Sequence, residues 1–154
     1  MATTIVPSTM TVTISKSITL NGQQQGGSQI FTIASINEIT RRITTCPASQ
    51  STKILNFSTN VYDAAQAIDV NDCKYVRITN LDNTNSVELG IVGASSNYQI
   101  TLAAGQSHIL GATDDFMLAE EDQTPSFGTM TDVTTISCNP AANAVDLEVF
   151  TASI

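Results

Sequence analysis

Residues 74–110 read KYVRITNLDNTNSVELGIVGASSNYQITLAAGQSHIL, and this stretch decides the fold class. Short runs rich in β-branched and aromatic residues alternate in it with clusters of Asn, Asp, Ser and Gly. The runs predicted to be strands are 75–79, 87–92, 98–102 and 107–110. The clusters between them supply residues that accept turn conformations, and they leave no room for crossover helices. The spacing therefore predicts an antiparallel β-sandwich or barrel.

One of these runs shows the pattern of a half-buried strand clearly. Val87, Leu89 and Ile91 fall on one face, whereas Glu88 and Gly90 fall on the other. Successive side chains of a strand point to opposite faces, so a period of two predicts one face against a core and one against water. We therefore expect the three apolar side chains to belong to the core.

A resemblance to a known family lies in the runs YVRITNLDNTNSVELGI (75–91) and YQITLAAGQSHIL (98–110). They resemble the small all-β structural proteins that tailed bacteriophages place on their particles, especially capsid decoration (cement) proteins. The resemblance rests on a strand-turn-strand rhythm with an L-x-x-G-x-S turn at 102–107. It implies a jelly-roll-like β-sandwich that forms a homotrimer on the major capsid protein, at the capsid surface of the virion, after synthesis in the host cytoplasm. It implies no catalytic residues and no cofactor, since decoration proteins are not enzymes.

The length and composition predict one domain. A chain of 154 residues can bury about 68–70% of its unfolded surface, so it needs neither a disulfide nor a metal for stability. Residues 1–8 contain Pro7 and no alternation, which predicts an N-terminal arm, and we assign residues 9–154 to the β-sandwich domain. Charged residues make up only 13% of the chain, so neutral hydroxyl and amide side chains provide most of the polar surface.

The charge and the hydropathy pattern exclude two classes of partner. The formal net charge is −8 and the pI is near 4.2, so the chain lacks the basic surface that nucleic-acid binding demands. No apolar stretch approaches the roughly 18–20 residues of a membrane-spanning helix, and the N-terminus MATTIVPSTM lacks the features of a secretory signal. We therefore expect a soluble cytosolic product that binds neither nucleic acid nor membranes.

The three cysteines, Cys46, Cys73 and Cys138, lie far apart in the chain without a C-x-x-C pair. One of them must stay unpaired within the chain. We interpret them as buried free thiols that act as small apolar groups. A metal site built from these cysteines and His108 has no ligand spacing to support it.

A long alternation near the N-terminus predicts one apolar face and one hydroxyl face. The apolar positions are Met10, Val12, Ile14, Ile18 and Leu20. The pattern fits one long strand, or two strands joined by a bend near Lys16. The hydroxyl face is either solvated, which we favour, or pairs with a neighbouring copy through threonine contacts. The segment NGQQQGG at 21–27 predicts an exposed loop opened by an Asn-Gly turn, and residues 29–33 predict a strand.

Residues 35–43 allow two interpretations. The sequence 35–38, SINE, matches a capping box and would begin a helix, whereas the β-branched residues of EITRRITT favour a strand, which we prefer. Arg41 and Arg42 are two of only six basic residues. They either anchor an acidic neighbour or form solvated or internal salt bridges, and the second interpretation is the default.

The remaining elements follow from the same patterns. The further predicted strands are 53–61, with Leu55, Phe57 and Val61 on one face, and 116–119, 133–138 and 145–150. The Ala-rich segment 63–68 is compatible with a single helical turn. Residues 120–131 are predicted to form an acidic loop that contains Pro and Gly.

The acidic groups at 114–115 and 120–122 could hold a calcium ion or carry acid-base chemistry. Neither matches the spacing of a calcium loop, so solvated loop residues are the simpler interpretation. Residues 82–85, DNTN, come closer to oxygen-ligand spacing, but they lack the glycine and the closing glutamate. Turn chemistry explains them sufficiently.

His108 lies beside Ser107 on a predicted strand. Adjacent strand residues point to opposite faces, so these two cannot readily form a nucleophile-base pair, and we expect His108 to be a half-buried polar residue. The chain contains no G-x-S-x-G, phosphate-cradling loop or dinucleotide fingerprint. The sequence therefore predicts a non-enzymatic protein without catalytic, cofactor-binding or metal residues.

The resulting functional hypothesis is a virion protein that decorates and stabilises the major capsid lattice. One alternative is a tail, neck or fibre accessory protein of a phage. Another is a carbohydrate-binding or adhesive β module, although the absence of Trp and an aromatic content of 5% count against it. Hydroxyl-rich strand faces and the need to protect sheet edges favour a homo-oligomer, with residues 1–8 and the 23–27 loop on a neighbouring subunit.

Overall fold

The computed structural model describes residues 4–61, 66–119 and 124–154. By their contacts the residues form two compact units, one from Met1–Glu38 with Ile154 and the other from Ile39–Ser153. The arm over residues 1–8 stays a prediction, and residues 1–3 lie outside the described part. The strands are β1 (Ser8–Lys16), β2 (Thr19–Leu20), β3 (Gln23–Gln24), β4 (Gly27–Ile36), β5 (Glu38–Cys46), β6 (Thr52–Ser58), β7 (Ile68–Asp69), β8 (Cys73–Asn80), β9 (Val87–Gly93), β10 (Asn97–Leu102), β11 (Ser107–Leu110), β12 (Val133–Asn139) and β13 (Val145–Ser153).

The unit formed by Ile39–Ser153 is a β-sandwich. One sheet has the strand order β10-β9-β12-β6-β7 and the other has the order β11-β8-β13-β5. The pairs β5–β13, β6–β12, β8–β11 and β9–β10 are therefore nested, with early strands beside late ones, which is the topology of a jelly roll. The prediction of an antiparallel, jelly-roll-like β-sandwich is confirmed. The short β7 pairs in parallel with β6 at one edge.

The core follows from the alternation within the strands. Val87, Leu89 and Ile91 of β9 are at most 1% exposed, whereas Glu88 is exposed, as the period of two predicts. The other fully buried large side chains of the sandwich are Ile54, Val76, Ile78, Leu110, Val133, Ile136, Val145, Leu147 and Val149. The three cysteines are buried free thiols within this core, which confirms their interpretation.

Strand β6 departs from the predicted period. Ile54 and Leu55 are both buried, at 1% and 6% exposure, although they are adjacent. The pairing with β12 shifts register here, because Ile136 is opposite Leu55 and the next residue of β12 is opposite Lys53. Ile54 is thus the extra residue of a β-bulge, which locally breaks the alternation. The predicted strand also ends early, since β6 stops at Ser58 and Val61 is 38% exposed.

The other unit contains a long β-hairpin. Strands β1 and β4 pair antiparallel, and the break between Lys16 and β2 confirms the alternative with two strands and a bend. The Asn-Gly turn predicted to open the segment 21–27 is confirmed, and the segment is exposed except at Gly26. The prediction of a loop over the whole segment is wrong, because Gln23–Gln24 form β3, which pairs with β2, and β4 already begins at Gly27. Asn21 and Gly22 have φ values of 50° and 76°, and positive φ at both central residues suits the twist of paired strands.

The predictions for the segments 35–46, 116–119, 63–68 and 120–131 have different outcomes. Residues 38–46 form strand β5, so the strand interpretation is confirmed and the helix is wrong; Ser35, the proposed cap, has a φ of 63°. The predicted strand at 116–119 is wrong, because Met117 makes only an isolated bridge to Thr131 there. Parts of the proposed helical turn at 63–68 and of the acidic loop at 120–131 lie outside the described residues.

Candidate functional site

The hairpin of β1 and β4 has two chemically different faces. Directly opposed residues of an antiparallel pair lie on the same face, so the register defines both. The apolar face carries Met10, Val12, Ile14, Phe31 and Ile33, and the hydroxyl face carries Thr11, Thr13, Ser15, Ser28 and Thr32. The hydroxyl oxygens of Ser15 and Ser28 lie 3.0 Å apart. The predicted division into an apolar and a hydroxyl face is confirmed for Met10–Ser15, with Ile30 as an apolar exception on the hydroxyl face and Gln29 and Lys16 as polar exceptions on the apolar face.

Apolar side chains near the turn of this hairpin are exposed. Ile14, Ile18 and Leu20 are 42%, 49% and 57% exposed, and we call these three residues the distal apolar patch. Two-stranded hairpins are only marginally stable alone, and grouped exposed apolar side chains commonly mark interaction sites. The patch is therefore a candidate surface for binding another protein.

A second candidate surface is the outer face of the sheet β11-β8-β13-β5. At its centre Glu148 of β13 accepts hydrogen bonds from Arg41 of β5 and Arg77 of β8. The Arg41 Nε and Nη2 lie 2.9 and 2.5 Å from Glu148 Oε2, and the Arg77 Nη2 lies 2.6 Å from Oε1. These contacts, first those from Arg41, hold the pKa of Glu148 below its usual value. Because the Arg41 side chain is 66% exposed, its ion pair contributes at most about 1 kcal/mol.

Apolar residues surround this ion cluster. Ile39 and Ile43 flank Arg41 on edge strand β5 and are 59% and 62% exposed. The guanidinium carbon of Arg77 lies 5.9 Å from the centroid of the Phe150 ring. The Arg77 Nε is buried and has no hydrogen-bond partner among the described residues. A face that combines exposed isoleucines with an unpaired buried donor is suited to contact a partner that supplies apolar area and an acceptor.

The two adjacent arginines have different roles. Arg41 forms the surface ion pair with Glu148, whereas Arg42 donates a hydrogen bond to the backbone carbonyl of Ile54. The default interpretation of an internal salt bridge is confirmed for Arg41, whereas the contact of Arg42 is a hydrogen bond to a backbone carbonyl. Alternation along β5 explains the difference, because neighbouring side chains point to opposite faces of the sheet.

Ser107 and His108 point to opposite faces, as the alternation predicted. Ser107 Oγ lies 2.7 Å from Thr79 Oγ1, whereas His108 Nε2 lies 3.4 Å from the Tyr98 hydroxyl. The Tyr98 ring also stacks on Phe116, with ring centroids 6.4 Å apart. Burial lowers the pKa of His108 and raises the pKa of Tyr98. The half-buried histidine thus belongs to an aromatic cluster and not to a nucleophile-base pair.

The burial of His108 predicts a pH dependence of stability. Because the folded-state pKa lies below the unfolded value of about 6.5, the unfolded chain binds the proton more readily. The contribution of His108 is complete above about pH 6.5 and is lost as the pH falls through the folded-state pKa. Urea unfolding at about pH 7.5 and about pH 5 should show a smaller decrease in stability for His108→Gln than for the native chain. Equal decreases in both proteins would contradict this assignment.

The acidic residues singled out in the sequence do not form a metal site in the described part of the chain. Asp82 Oδ1 accepts hydrogen bonds from the backbone N–H groups of Thr84 and Asn85, both at 2.7 Å, and those of Asn85 and then Thr84 lower the pKa of Asp82. Asp114 lies 3.9 Å from the Lys74 ammonium. No group of three or more His, Cys, Asp or Glu residues that could hold a metal ion occurs among the described residues, and 120–122 lie outside them.

Asn80 is a structural residue that sequence reasoning missed. Its side chain is fully buried, although it lies in the polar cluster that follows the predicted strand 75–79. The Nδ2 donates to the carbonyl oxygens of Asn85 and Leu102 at 2.9 and 3.2 Å, and the Oδ1 accepts from the N–H of Asp82 at 3.0 Å. It therefore holds the turn after β8 together and joins this turn to the end of β10. The one signal in the sequence that could have identified it is its position directly after the apolar strand 75–79, which the other turn asparagines do not share.

The concavities on the described part of the sandwich include a depression and a groove. A depression of about 160 Å³ has Glu88, Gly90, Gln99 and Ser137 among its lining residues. A polar groove of about 440 Å³ is bordered by Asp82 and Asp146. Both open to solvent. Within the described residues, no helix has the length and apolar character needed to cross a membrane.

Comparisons with known proteins give one similar structure. No protein-family model matches the chain, and no curated protein matches its sequence. A solved structure described as "Bacillus endospore appendages form a novel family of disulfide-linked pili" is similar at 12% identity and a TM-score of 0.40. The match covers 75% of this chain and 87% of that chain. A likeness at this level defines neither a family nor a function. The fold and the two surfaces define the chain as a jelly-roll β-sandwich protein with an apolar hairpin.

Proposed function

We propose that this protein is a non-enzymatic virion structural protein that binds the major capsid lattice of a tailed phage and stabilises it. It acts as a homo-oligomer, for which we favour a trimer, on the capsid surface after synthesis in the host cytoplasm. Its partners are other copies of itself and the major capsid protein, and it binds neither nucleic acid nor membrane.

The observation that carries the proposal is the distal apolar patch of Ile14, Ile18 and Leu20. The exposure of these apolar side chains to water is unfavourable, and their burial against a partner would be favourable. A hairpin of this kind can attach a compact β-sandwich to a protein lattice without any chemical step. The resemblance of residues 75–91 and 98–110 to decoration proteins supports the same role.

The stabilising effect follows from linkage. A protein that binds only the closed lattice adds RT ln(1 + [L]/Kd) per site, about 2.7 kcal/mol when its free concentration is a hundredfold above Kd. Because the same site repeats over the lattice, the total stabilising free energy of the particle is large. The net charge of −8 implies a neutral or basic receiving surface, so binding should weaken moderately as the salt concentration rises.

The test compares two variants on particles assembled without this protein. The triple variant Ile14→Ser/Ile18→Ser/Leu20→Ser should bind about 100-fold more weakly, because each half-exposed side chain contributes about 1 kcal/mol when it is buried. The control Thr11→Ser/Thr13→Ser changes the opposite, hydroxyl face and should bind like the native chain. Co-sedimentation at increasing protein concentration measures both affinities.

Heating the particles tests stabilisation itself. Particles carrying the native protein should release DNA at a higher temperature than bare particles, and those mixed with the triple variant should behave like bare ones. Identical release from all three preparations would refute the stabilising role. Imaging of labelled protein on the particle then distinguishes the capsid surface from a tail, neck or fibre position.

A further inference from the structure

Gly90 occupies the middle of strand β9, at a place where the fold does not require a glycine. Strand β9 lies between β10 and β12, and both pair with it in regular register at Gly90, so the strand has no bulge there. The φ of Gly90 is not positive, and a Cβ added to it would meet no atom within 4 Å. A glycine inside a strand costs stability, and where no bulge or bend explains it, it often marks the close approach of a ligand. The open space at Gly90 is therefore a candidate contact point.

Polar side chains surround this open space. Gln99 of β10 and Ser137 of β12 are directly opposite Gly90, and they share its face of the sheet. Lys53 of β6 extends the row, because it is opposite Ser137. Glu88 lies two residues from Gly90 on the same exposed face of β9. The side chains of Glu88, Gln99 and Ser137 line the depression of about 160 Å³, which we call the polar depression, and none of them has a hydrogen bond or ion pair within the described part of the chain.

We propose that the polar depression binds a neutral polyhydroxylated ring, such as one sugar unit of a glycan. Sugar hydroxyl groups both donate and accept hydrogen bonds. The Glu88 carboxylate accepts them, and the Gln99 amide and the Ser137 hydroxyl do both. An anion would meet the charge of Glu88 and a cation would meet that of Lys53, so a neutral ligand avoids both repulsions. The missing side chain at Gly90 lets the ring reach the strand.

The site does not rest on the proposed function. The polar depression lies on the sandwich unit, whereas the distal apolar patch belongs to the hairpin unit. Loss of sugar binding and loss of particle binding are therefore separate outcomes, measured on different variants.

The size and lining of the polar depression set the expected affinity. Its volume is below the range of about 300–1,000 Å³ that is typical of pockets for drug-sized ligands, so it accommodates a single ring. None of its described lining residues is aromatic, so the ring gains no stacking contact. We therefore expect a dissociation constant on the order of 1 mM.

Titration of the full chain with simple glycosides tests the site. The probes are the methyl glycosides of glucose, galactose and N-acetylglucosamine, each at concentrations up to about 50 mM. Amide chemical shifts of the isotope-labelled protein report binding, and we expect saturable changes at Gly90, Gln99 and Ser137 with at least one glycoside. Sodium acetate and butylammonium chloride are the anionic and cationic probes, and neither should cause saturable changes there.

Substitutions at Gly90 separate the site from the fold. Gly90→Val fills the open space and should remove the saturable changes. The matched control is Gly111→Ala, because a Cβ at Gly111 would also meet no atom within 4 Å but this glycine does not line the polar depression. Gly90→Ala should raise the thermal midpoint by about 2–4 °C, since the strand loses a glycine. Gln99→Ala should weaken glycoside binding about tenfold through lost hydrogen bonds.

The outcomes that overturn the proposal are distinct. They are the absence of saturable changes with all three glycosides, changes confined to residues outside the polar depression, and unchanged binding in Gly90→Val. Tighter binding of acetate or butylammonium than of the glycosides would contradict the neutral ligand class. A lower thermal midpoint for Gly90→Ala would show that the fold itself requires the glycine, which removes the basis of the proposal. If Gly90→Val fails to fold, unchanged binding in Gln99→Ala gives the same decision.

Discussion

Asn80→Ala is expected to destabilise the sandwich by about 3 kcal/mol. The substitution removes three hydrogen bonds of the buried Asn80 side chain, one of them buried and two partly buried, and leaves the carbonyl oxygens of Asn85 and Leu102 without the amide that satisfies them. Buried groups that lose their partner carry the full desolvation penalty, about 1–3 kcal/mol each. The thermal midpoint should fall by about 10 °C. Urea and thermal unfolding followed by circular dichroism measure the change.

Two variants control for the loss of a turn residue. Asn83 lies in the same turn but is exposed, so Asn83→Ala should change stability by less than about 0.5 kcal/mol. Asn80→Asp keeps the side-chain size but places a carboxylate against two carbonyl oxygens. It should therefore lower the free energy of unfolding at least as much as Asn80→Ala does. If Asn80→Ala proved as mild as Asn83→Ala, the buried network would not hold these segments together.

Gly26→Ala is expected to disrupt the hairpin unit and to weaken particle binding by at least about tenfold, given an overpacking cost of about 1–3 kcal/mol. A Cβ at this position would lie 2.2 Å from the carbonyl oxygen of Lys16 and 3.1 Å from the Cα of Ser17. These are backbone atoms of the segment at the end of β1, so rotation of a side chain cannot relieve the contact. The backbone must move, and the register between β1 and β4 begins next to this point.

The neighbouring glycine gives a closely matched control. A Cβ at Gly27 would meet no atom within 4 Å, so Gly27→Ala should leave the hairpin intact. Hydrogen exchange followed by mass spectrometry localises the effect. Peptides from β1 and β4 should lose protection in Gly26→Ala, whereas peptides from β8 and β13 should keep it. Unchanged protection in β1 and β4 would show that the close approach is not required.

Local patterning in the sequence determined the fold class and most strands. The alternation of Val87, Leu89 and Ile91, and the turn residues that bound these strands, depend only on neighbours along the chain. The same local chemistry placed Ser107 and His108 on opposite faces and explained Asp82 as a turn residue. The division of the N-terminal segment into an apolar and a hydroxyl face was also readable, because it follows from side-chain parity.

The tertiary structure decided the features that depend on the partner strand or on distant residues. The bulge at Ile54 arises from the register with β12, and the Asn80 amide is satisfied partly by a carbonyl of the distant β10, that of Leu102. The ion cluster at Glu148 brings together residues that are far apart in the chain. Periodicity reports which face a side chain occupies, but it carries no information on what lies opposite that face. That information exists only once the strands are paired and the sheets are packed.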